Sequence, residues 1–287
     1  GQVFACLGFV EAAEILLGEA EGGFDWSREA EDGVKFRLRA AGDQNPVAAV
    51  LEFLAQAEVK AIAPAEVEGP WPENAESKKA FPAPLKALRK SDGKALTGSA
   101  LPIYLKRGND VVPMTHWLER DRRFTLKLFA GQQVGARLAA NMLCGDPKKT
   151  GSKGLKDIYP NLEASKFDDP FKIVCVVGGR FGFDARGGWD AIRIGTSLDE
   201  QGVLLELAPH LELLAAIGLE HTRPIALSTY QIRYAVWAGV LPIALCRVAL
   251  FAPDAFLPKD EYRSFRTHLG DDKQYKKIFF AEEEPNP

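Results

Sequence analysis

The sequence predicts an α+β fold of mixed helices and antiparallel strands, with a basic, loop-rich insertion in the middle of the chain. Apolar residues recur at helical spacing over residues 2–17, whereas residues 34–39 alternate as a half-exposed strand does. Residues 78–156 contain 17 Lys and Arg but 5 Asp and Glu, a net charge of +12 between flanks that carry −10 and −5. We therefore expect an N-terminal α+β part (1–77), a basic nucleic-acid-binding segment (78–156) and a C-terminal α+β part (157–287). In an alternative division the first and last parts form one continuous domain.

Local patterns define the elements that precede the insertion. The apolar residues of 2–17, with two glutamates between them, predict an amphipathic helix that ends at Gly18. Asn45 and Pro46 are typical of a helix N-cap and a first helical position, so a helix is expected over residues 47–58.

The insertion is predicted to begin with a loop and to contain a hairpin. Residues 64–84 are rich in Pro, Glu and Ala without periodicity, which indicates a loop or a flexible insertion. Two apolar stretches, 101–106 and 111–118, flank a turn at 107–110 and predict a β-hairpin. A helix is expected over residues 132–143.

Short strands and helices are predicted again after residue 168. The expected elements are strands at 173–177, 191–194 and 203–207, a helix at 210–219, and a final pair of strands at 232–237 and 243–251. No repeat of solenoid length is visible in the sequence.

Composition and cysteine usage favour a cytoplasmic protein that does not contact membranes. No apolar stretch approaches the roughly 20 residues that cross a bilayer. The first 17 residues also lack the basic start of a secretory signal. The cysteines lie far apart among apolar neighbours, where we expect them to behave as small buried residues rather than as zinc ligands or disulfides. They are Cys6, Cys144, Cys175 and Cys246.

The basic segment mixes its charges with aromatic side chains, which favours a polyanionic partner over a merely solvated surface. Lys and Arg side chains neutralise phosphates, and His116, beside Trp117, can stack on a base. The candidate nucleic-acid contacts in its first two thirds are Lys78, Lys79, Lys86, Arg89, Lys90, Lys94, Lys106, Arg107, His116, Trp117, Arg120, Arg122 and Arg123.

Residues 145–156, with the sequence GDPKKTGSKGLK, are predicted as an exposed, non-helical loop. The loop does not fit the Walker A pattern, because five residues separate Gly145 from Gly151 and Ser precedes Lys, so nucleotide hydrolysis is not expected. Small residues and lysines can approach a nucleic-acid backbone closely or enter a minor groove. The candidate contacts here are Lys148, Lys149, Gly151, Ser152 and Lys153. A disordered surface loop is the equally weighted alternative.

The string at 178–190 (GGRFGFDARGGWD) is the most distinctive one in the chain. We expect its glycines to form tight turns and its aromatic residues to pack in the core. A functional role for Arg180 or Arg186 is the alternative. The histidines have no metal-ligand spacing, and no nucleophile–base arrangement follows from the sequence. We therefore expect no catalytic residues, no metal and no cofactor.

Four groups of residues carry a resemblance to a known family. They are GQVFACLGFVEAA at 1–13, RFGFDAR at 180–186 with WDA at 189–191, GTSLDEQ at 195–201, and ELLAAIGL at 212–219 with Arg223 and Pro224. In these strings the chain resembles the large-subunit family of a CRISPR type I surveillance complex (Cascade), of the type I-U kind, which acts in antiviral defence. The basic segment contributes none of them.

The resemblance implies a non-catalytic subunit that binds target double-stranded DNA at the PAM and aids R-loop formation. It also implies RNA binding at the guide-RNA end, contact with other Cascade backbone subunits, and recruitment of the helicase-nuclease. In this chain the basic residues of 78–94 and 120–123 would contact phosphates. Gly151, Ser152 and Lys153 would form the PAM-proximal loop, and Asn141 or Gln132 would read bases.

Two other functions stay open at this point. One is a guide-RNA-processing endoribonuclease that uses His116 with nearby Lys or Arg. The other is a scaffold whose basic face binds an acidic protein partner.

Overall fold

The computed structural model describes residues 1–61, 103–115, 126, 128–129, 135–187, 205–270 and 276–285. Over these residues the α+β prediction is confirmed, with helices packed among antiparallel sheets. The helices are α1 (Gln2–Leu16), α2 (Glu29–Asp32), α3 (Pro46–Gln56), α4 (Gly135–Cys144), α5 (Leu155–Ile158), α6 (Pro209–Gly218) and α7 (Ile243–Ala249). The strands before residue 130 are β1 (Glu21–Asp25), β2 (Lys35–Arg39), β3 (Glu58–Ala61), β4 (Ile103–Arg107) and β5 (Asp110–Met114). Those after it are β6 (Cys175–Val176), β7 (Glu206–Leu207), β8 (Ile225–Ser228), β9 (Gln231–Trp237), β10 (Leu241–Pro242), β11 (Tyr262–His268) and β12 (Ala281–Glu284).

Helices α1 and α6 cross at backbone contact in the centre of the core. A Cβ at Gly8 would lie 1.9 Å from the carbonyl oxygen of Leu214, and a Cβ at Gly218 would lie 2.1 Å from that of Phe4. Real Cβ atoms do not approach backbone oxygens so closely, so the crossing requires glycine on both helices. Helix α1 begins where expected and ends one residue early, with Gly18 at a φ of +81° just after its C-cap.

The expected amphipathic character of α1 is wrong. Every residue from Phe4 to Ala13 is buried, because α6, α3, α7 and the β5 strand surround the helix. Glu11, predicted on a polar face, is also buried and bonds to Arg247 on α7. Helix α1 is therefore the central element of the fold rather than a surface element.

Three antiparallel sheets surround this pair of helices. Their strand orders are β10-β1-β2, β3-β4-β5 and β12-β11-β9-β8, and β6 pairs with β7 as a separate two-stranded ribbon. The first sheet meets the third where the Trp237 indole donates a hydrogen bond of 2.9 Å to the carbonyl of Gly22. The β3-β4-β5 sheet packs against α1, α3, α4 and α6.

Several local predictions are confirmed. The Asn45 side chain accepts hydrogen bonds from the backbone N–H of Val47 at 2.9 Å and of Ala48 at 3.1 Å, so it caps α3. Helix α3 ends at Gln56, two residues before the expected end, because Glu58 already pairs in β3. Strand β2 shows the expected alternating exposure, and β4 and β5 form the expected hairpin, with Gly108 at a φ of +57°.

The elements expected after the insertion are shorter than predicted where they lie within the described ranges. The predicted strands near 173–177 and 203–207 are reduced to β6 and β7, whereas the predicted helices are present as α4 and α6. The loop at 64–84, the strand at 191–194 and the first residues of 132–143 lie outside the described residues. None of the described helices combines the length and apolarity that crossing a membrane requires.

The prediction that residues 243–251 form a strand paired with 232–237 is wrong. Residues Ile243–Ala249 form α7, with Pro242 as its N-cap, and the helix buries Cys246 and Ala249, three residues apart. Strand β9 pairs instead with β11, from Tyr262 opposite Trp237 to His268 opposite Gln231, and with β8 on its other side. An apolar run this short fits a strand and a buried helix equally well.

One cysteine prediction also needs correction. Cys6, Cys175 and Cys246 are buried as expected, whereas Cys144 is exposed because it ends α4 just before the chain turns at Gly145. All four thiols are free.

Candidate nucleic-acid interface

The structure describes part of the predicted interface. Lys106, Arg107, Lys148, Lys149, Gly151, Ser152 and Lys153 are described. The other predicted contacts lie outside the described residues: Lys78, Lys79, Lys86, Arg89, Lys90, Lys94, His116, Trp117, Arg120, Arg122, Arg123 and Gln132.

At the hairpin, one of the two predicted contacts is held by intramolecular interactions. The guanidinium of Arg107 lies over the Phe53 ring, 5.3 Å from its centroid, and bonds to the Asp110 carboxylate at 3.0 Å. Lys106 is exposed and pairs in register with Glu58 on β3. A phosphate would therefore contact Lys106 directly but would compete with Asp110 for Arg107.

The chain leaves the hairpin from a fixed position. Both the backbone N–H and the hydroxyl of Thr115 donate to the carboxylate of Glu220, just beyond the end of α6. Two hydrogen bonds to one carboxylate fix this end of the hairpin against the core. The predicted contacts at 116–123 follow directly from this point in the chain.

The loop of residues 145–154 has a defined conformation, closed by its own hydrogen bonds. The backbone N–H of Asp146 donates to the Ser152 hydroxyl at 2.9 Å, and the N–H of Ser152 donates to the Lys149 carbonyl at 3.0 Å. Gly145 and Gly151 have φ values of +76° and +77°, which favour glycine. The tip of the loop is exposed, as predicted, whereas Gly145 and Gly154 are buried. The predicted loop also ends early, because Leu155 begins α5 and Asp157 accepts the Gly154 N–H at 2.8 Å.

The loop packs closely against the start of the string at 178–190. A Cβ at Gly178 would lie 1.9 Å from the Cβ of Asp146, so only glycine allows this approach. The Lys153 N–H also donates to the Val176 carbonyl at 2.7 Å. The lysine-bearing loop and the segment leading to Arg180 therefore form one continuous surface.

The cations on this surface are largely unneutralised. Lys148 and Lys153 are exposed, Lys149 is half-buried, and none of the three has an ion-pair partner among the described residues. Asp146 is the nearby acid, but one of its carboxylate oxygens accepts the Lys148 backbone N–H at 3.0 Å and lies 3.9 Å from Arg137. The positive charge of the three lysines is thus available to an external anion.

Arg180 adds a fourth cation that the sequence suggested only as an alternative. Its guanidinium packs on Gly187, where a Cβ would lie 2.6 Å from Nη1. The side chain is half-buried and has neither a hydrogen bond nor an ion pair within the part of the chain that the structure describes. A half-buried guanidinium without a counterion favours anion binding.

A buried carboxylate fixes the segment that follows Arg180. Glu212 on α6 accepts backbone N–H groups from Gly182 at 2.8 Å, Phe183 at 3.3 Å and Asp184 at 2.8 Å. Burial raises the pKa of Glu212, and three backbone donors oppose that shift. Asp184 in turn binds the Arg186 guanidinium, with its shortest contact at 2.6 Å. Among the described residues, Arg186 therefore has an ion-pair partner whereas Arg180 has none.

The remaining predictions for this string and its neighbour concern packing. Phe181 and Phe183 are buried and Gly182 has a φ of +102°, which confirms the expected core aromatics and tight turn. Asn141, predicted as a base reader, is buried, and its backbone carbonyl accepts the Gly145 N–H at 2.9 Å. In this position Asn141 supports the loop and does not reach a base edge.

His210 is fully buried on α6, its ring parallel to Phe171 at 6.4 Å, and burial lowers its pKa to about 4. Among the residues that the structure describes, no group of three or more His, Cys, Asp or Glu could hold a metal ion.

Comparison with known proteins finds no family model that matches the chain, no curated relative and no similar solved structure.

Proposed function

We propose that this chain is a non-catalytic subunit of a CRISPR RNA-guided Cascade complex, and that it binds target double-stranded DNA at the PAM and aids R-loop formation. Guide RNA, the other backbone subunits and the helicase-nuclease are its proposed partners. The proposal starts from the resemblance of residues 1–13 and 180–224 to the large-subunit family and from the charge of +12 on residues 78–156. It gains support from the surface formed by the loop and Arg180.

The observation that carries the proposal is the closed loop, whose three lysines have no ion-pair partner among the described residues. Because hydrogen bonds already order residues 146–152, binding a duplex does not require the loop to lose much conformational freedom. Gly151 and Ser152 add little bulk at the tip, so the backbone can come close to a groove. Lys148, Lys149 and Lys153 can neutralise phosphates on either side of that groove.

Arg180 supplies a different kind of contact. A guanidinium can bind two acceptors at once, either on a phosphate or on the major-groove edge of guanine. Its position on the Gly178–Gly187 segment is fixed by the hydrogen bonds that Glu212 accepts. We propose that the lysines provide salt-dependent affinity and that Arg180 contributes orientation.

The test is duplex binding by the full chain, measured by fluorescence anisotropy over a range of salt concentrations. We expect Lys148→Ala/Lys149→Ala/Lys153→Ala to weaken binding and to reduce the slope of log K against log salt by up to about 2.7. Adding Arg180→Ala should reduce it by about one more. The matched control is Lys166→Ala/Lys172→Ala/Lys259→Ala, which removes three exposed lysines outside the basic segment.

Two outcomes would oppose the proposal. Equal slopes for the loop variant and the control variant would exclude the loop as a duplex contact. PAM recognition has a separate test, in which the wild-type chain selects duplexes from a library with a randomised flank. Enrichment of a short motif by the wild type, lost in the loop variant, is the expected result, and no enrichment would overturn PAM reading.

A further inference from the structure

One end of the C-terminal four-stranded sheet presents polar and aromatic side chains that the proposed duplex site does not use. In the antiparallel register His268 lies opposite Gln231, and Arg266 lies opposite Arg233. Directly opposite residues share a face, so these four side chains occupy two adjacent rows on one side of β9 and β11. We call them, with Phe280, the sheet corner.

The opposite face of the same two strands packs in the core. Ile232 and Thr267, which alternate with the residues of the corner, are buried. Tyr234 contacts Phe4 of α1 in an edge-to-face arrangement, with ring centroids 5.2 Å apart. Arg266 and His268, by contrast, are exposed, whereas Gln231 and Arg233 are half-buried. The corner is thus the solvent-exposed end of this side of the sheet.

The corner holds two like charges directly opposite each other. Arg266 bonds to Glu284 on the edge strand β12, where Glu282 also lies opposite it. Arg233 lies one strand further from this acidic edge and has no hydrogen bond or ion pair among the described residues. Like charges directly opposite each other destabilise a sheet, so an anion beside Arg233 would be favourable.

An exposed aromatic ring lies at this end of the sheet. Phe280 is 79% exposed, and the neighbouring Phe279 N–H donates to the His268 carbonyl at 3.1 Å, which places Phe280 at this end of the sheet. An exposed phenylalanine on a fixed backbone offers a ring face for stacking.

We propose that the sheet corner binds single-stranded nucleic acid, with a base stacked on Phe280 and the backbone phosphates beside Arg233. Proteins bind single strands without sequence preference where aromatic rings lie next to positively charged side chains. Arg233 rather than Arg266 is the cation open to a phosphate, because Arg266 is bonded to Glu284. This inference does not depend on the proposed duplex site.

The test measures binding of the full chain to labelled 12-nucleotide oligo(U) RNA and oligo(dT) DNA by fluorescence anisotropy. We expect Phe280→Ala/Arg233→Ala to weaken binding about tenfold or more, because loss of one stacked base and one phosphate contact each reduces affinity. The matched control is Phe256→Ala/Arg39→Ala, which removes one exposed phenylalanine and one exposed arginine elsewhere. Tighter binding of RNA or of DNA identifies the natural strand, and either supports the proposal.

Three results separate this inference from its alternatives. The loop variant Lys148→Ala/Lys149→Ala/Lys153→Ala should retain single-strand binding, so failure of the duplex proposal leaves this one testable. Equal affinities of the corner and control variants, with thermal unfolding showing both to be folded, would overturn the inference. So would polyglutamate that binds as tightly as the oligonucleotides and loses affinity in the corner variant, since the face would then be an acidic-protein site.

Discussion

The carboxylate of Glu11, in the middle of α1, accepts two hydrogen bonds from the guanidinium of Arg247 on α7, at 2.7 and 2.8 Å. The two residues are 236 positions apart in the chain, so the pair joins its N-terminal and C-terminal parts. The Glu11 side chain is 3% exposed and that of Arg247 is 32% exposed, so solvent reaches the guanidinium but hardly reaches the carboxylate. The hydrogen bonds with Glu11 also raise the pKa of Arg247, so the guanidinium stays charged in this partly buried position.

Removal of Arg247 should therefore destabilise the fold strongly. Removing one partner of a buried ion pair costs about 3–5 kcal/mol. Because Arg247 is partly exposed, we expect Arg247→Ala to lower the free energy of unfolding by about 3 kcal/mol. The double variant Glu11→Met/Arg247→Met should recover most of the loss, since it leaves no buried charge. Urea unfolding measures both, and a loss below about 0.5 kcal/mol in Arg247→Ala would contradict the structural role of the pair.

The α1–α6 crossing gives a second stability prediction. Gly8→Ala improves helix propensity by about 1 kcal/mol, but its Cβ would lie 1.9 Å from the Leu214 carbonyl oxygen. The helices must separate to accept it, so we expect a net loss of several kcal/mol in the free energy of unfolding. Gly42→Ala is the matched control, since a Cβ there meets nothing within 4 Å and the φ of +81° alone costs about 1–2 kcal/mol. Equal losses in the two variants would contradict the close crossing.

Local chemistry explains what the sequence predicted correctly. The N-cap at Asn45 and the turn at Gly108 depend on residues within three positions, so their signals are complete in the sequence. The buried face of Glu11 depends on a partner 236 residues away, and the helix over Ile243–Ala249 depends on the core that it covers. Neither leaves a signal in a short apolar window.

The sequence likewise predicts one part of the candidate site, and the tertiary contacts determine the rest. The lysines of residues 148–153 are visible as a basic loop in the sequence, and the structure adds the bonds that close it. The approach of Gly178 to Asp146, which brings Arg180 beside that loop, is a tertiary contact between segments about 30 residues apart. The one available signal was the glycine pair before Arg180, which is equally consistent with a tight turn.

His210 should make stability depend on pH. Its pKa is lowered by burial from 6.5 to about 4, and Asp184 and Arg186 are the charged groups that face it. The unfolded chain therefore binds a proton first as the pH falls, so stability present above pH 6.5 is lost progressively between 6.5 and 4. The free energy of unfolding lost over this interval is at most about 3 kcal/mol.

The measurement compares urea unfolding of the wild type and His210→Leu at several pH values. The variant cannot take up this proton, so its free energy of unfolding should fall less between pH 6.5 and 4. Glu212, whose pKa is raised by burial, contributes in the opposite direction in both proteins and cancels in the comparison. Parallel curves for the two proteins over this interval would rule out His210 as the group responsible.

Closure of the loop can be tested without removing any charge. The Ser152 hydroxyl accepts the Asp146 N–H at 2.9 Å, and Ser152→Ala removes that bond while all three lysines remain. If the closed loop is the duplex contact, the variant must order its loop on binding, so duplex affinity should fall about three- to tenfold. The slope of log K against log salt should stay unchanged, because the number of phosphates neutralised is the same. Thr150→Ala, at the exposed tip, is the matched control and should bind as the wild type does. A slope that fell together with the affinity would instead show that Ser152→Ala displaces the lysines themselves.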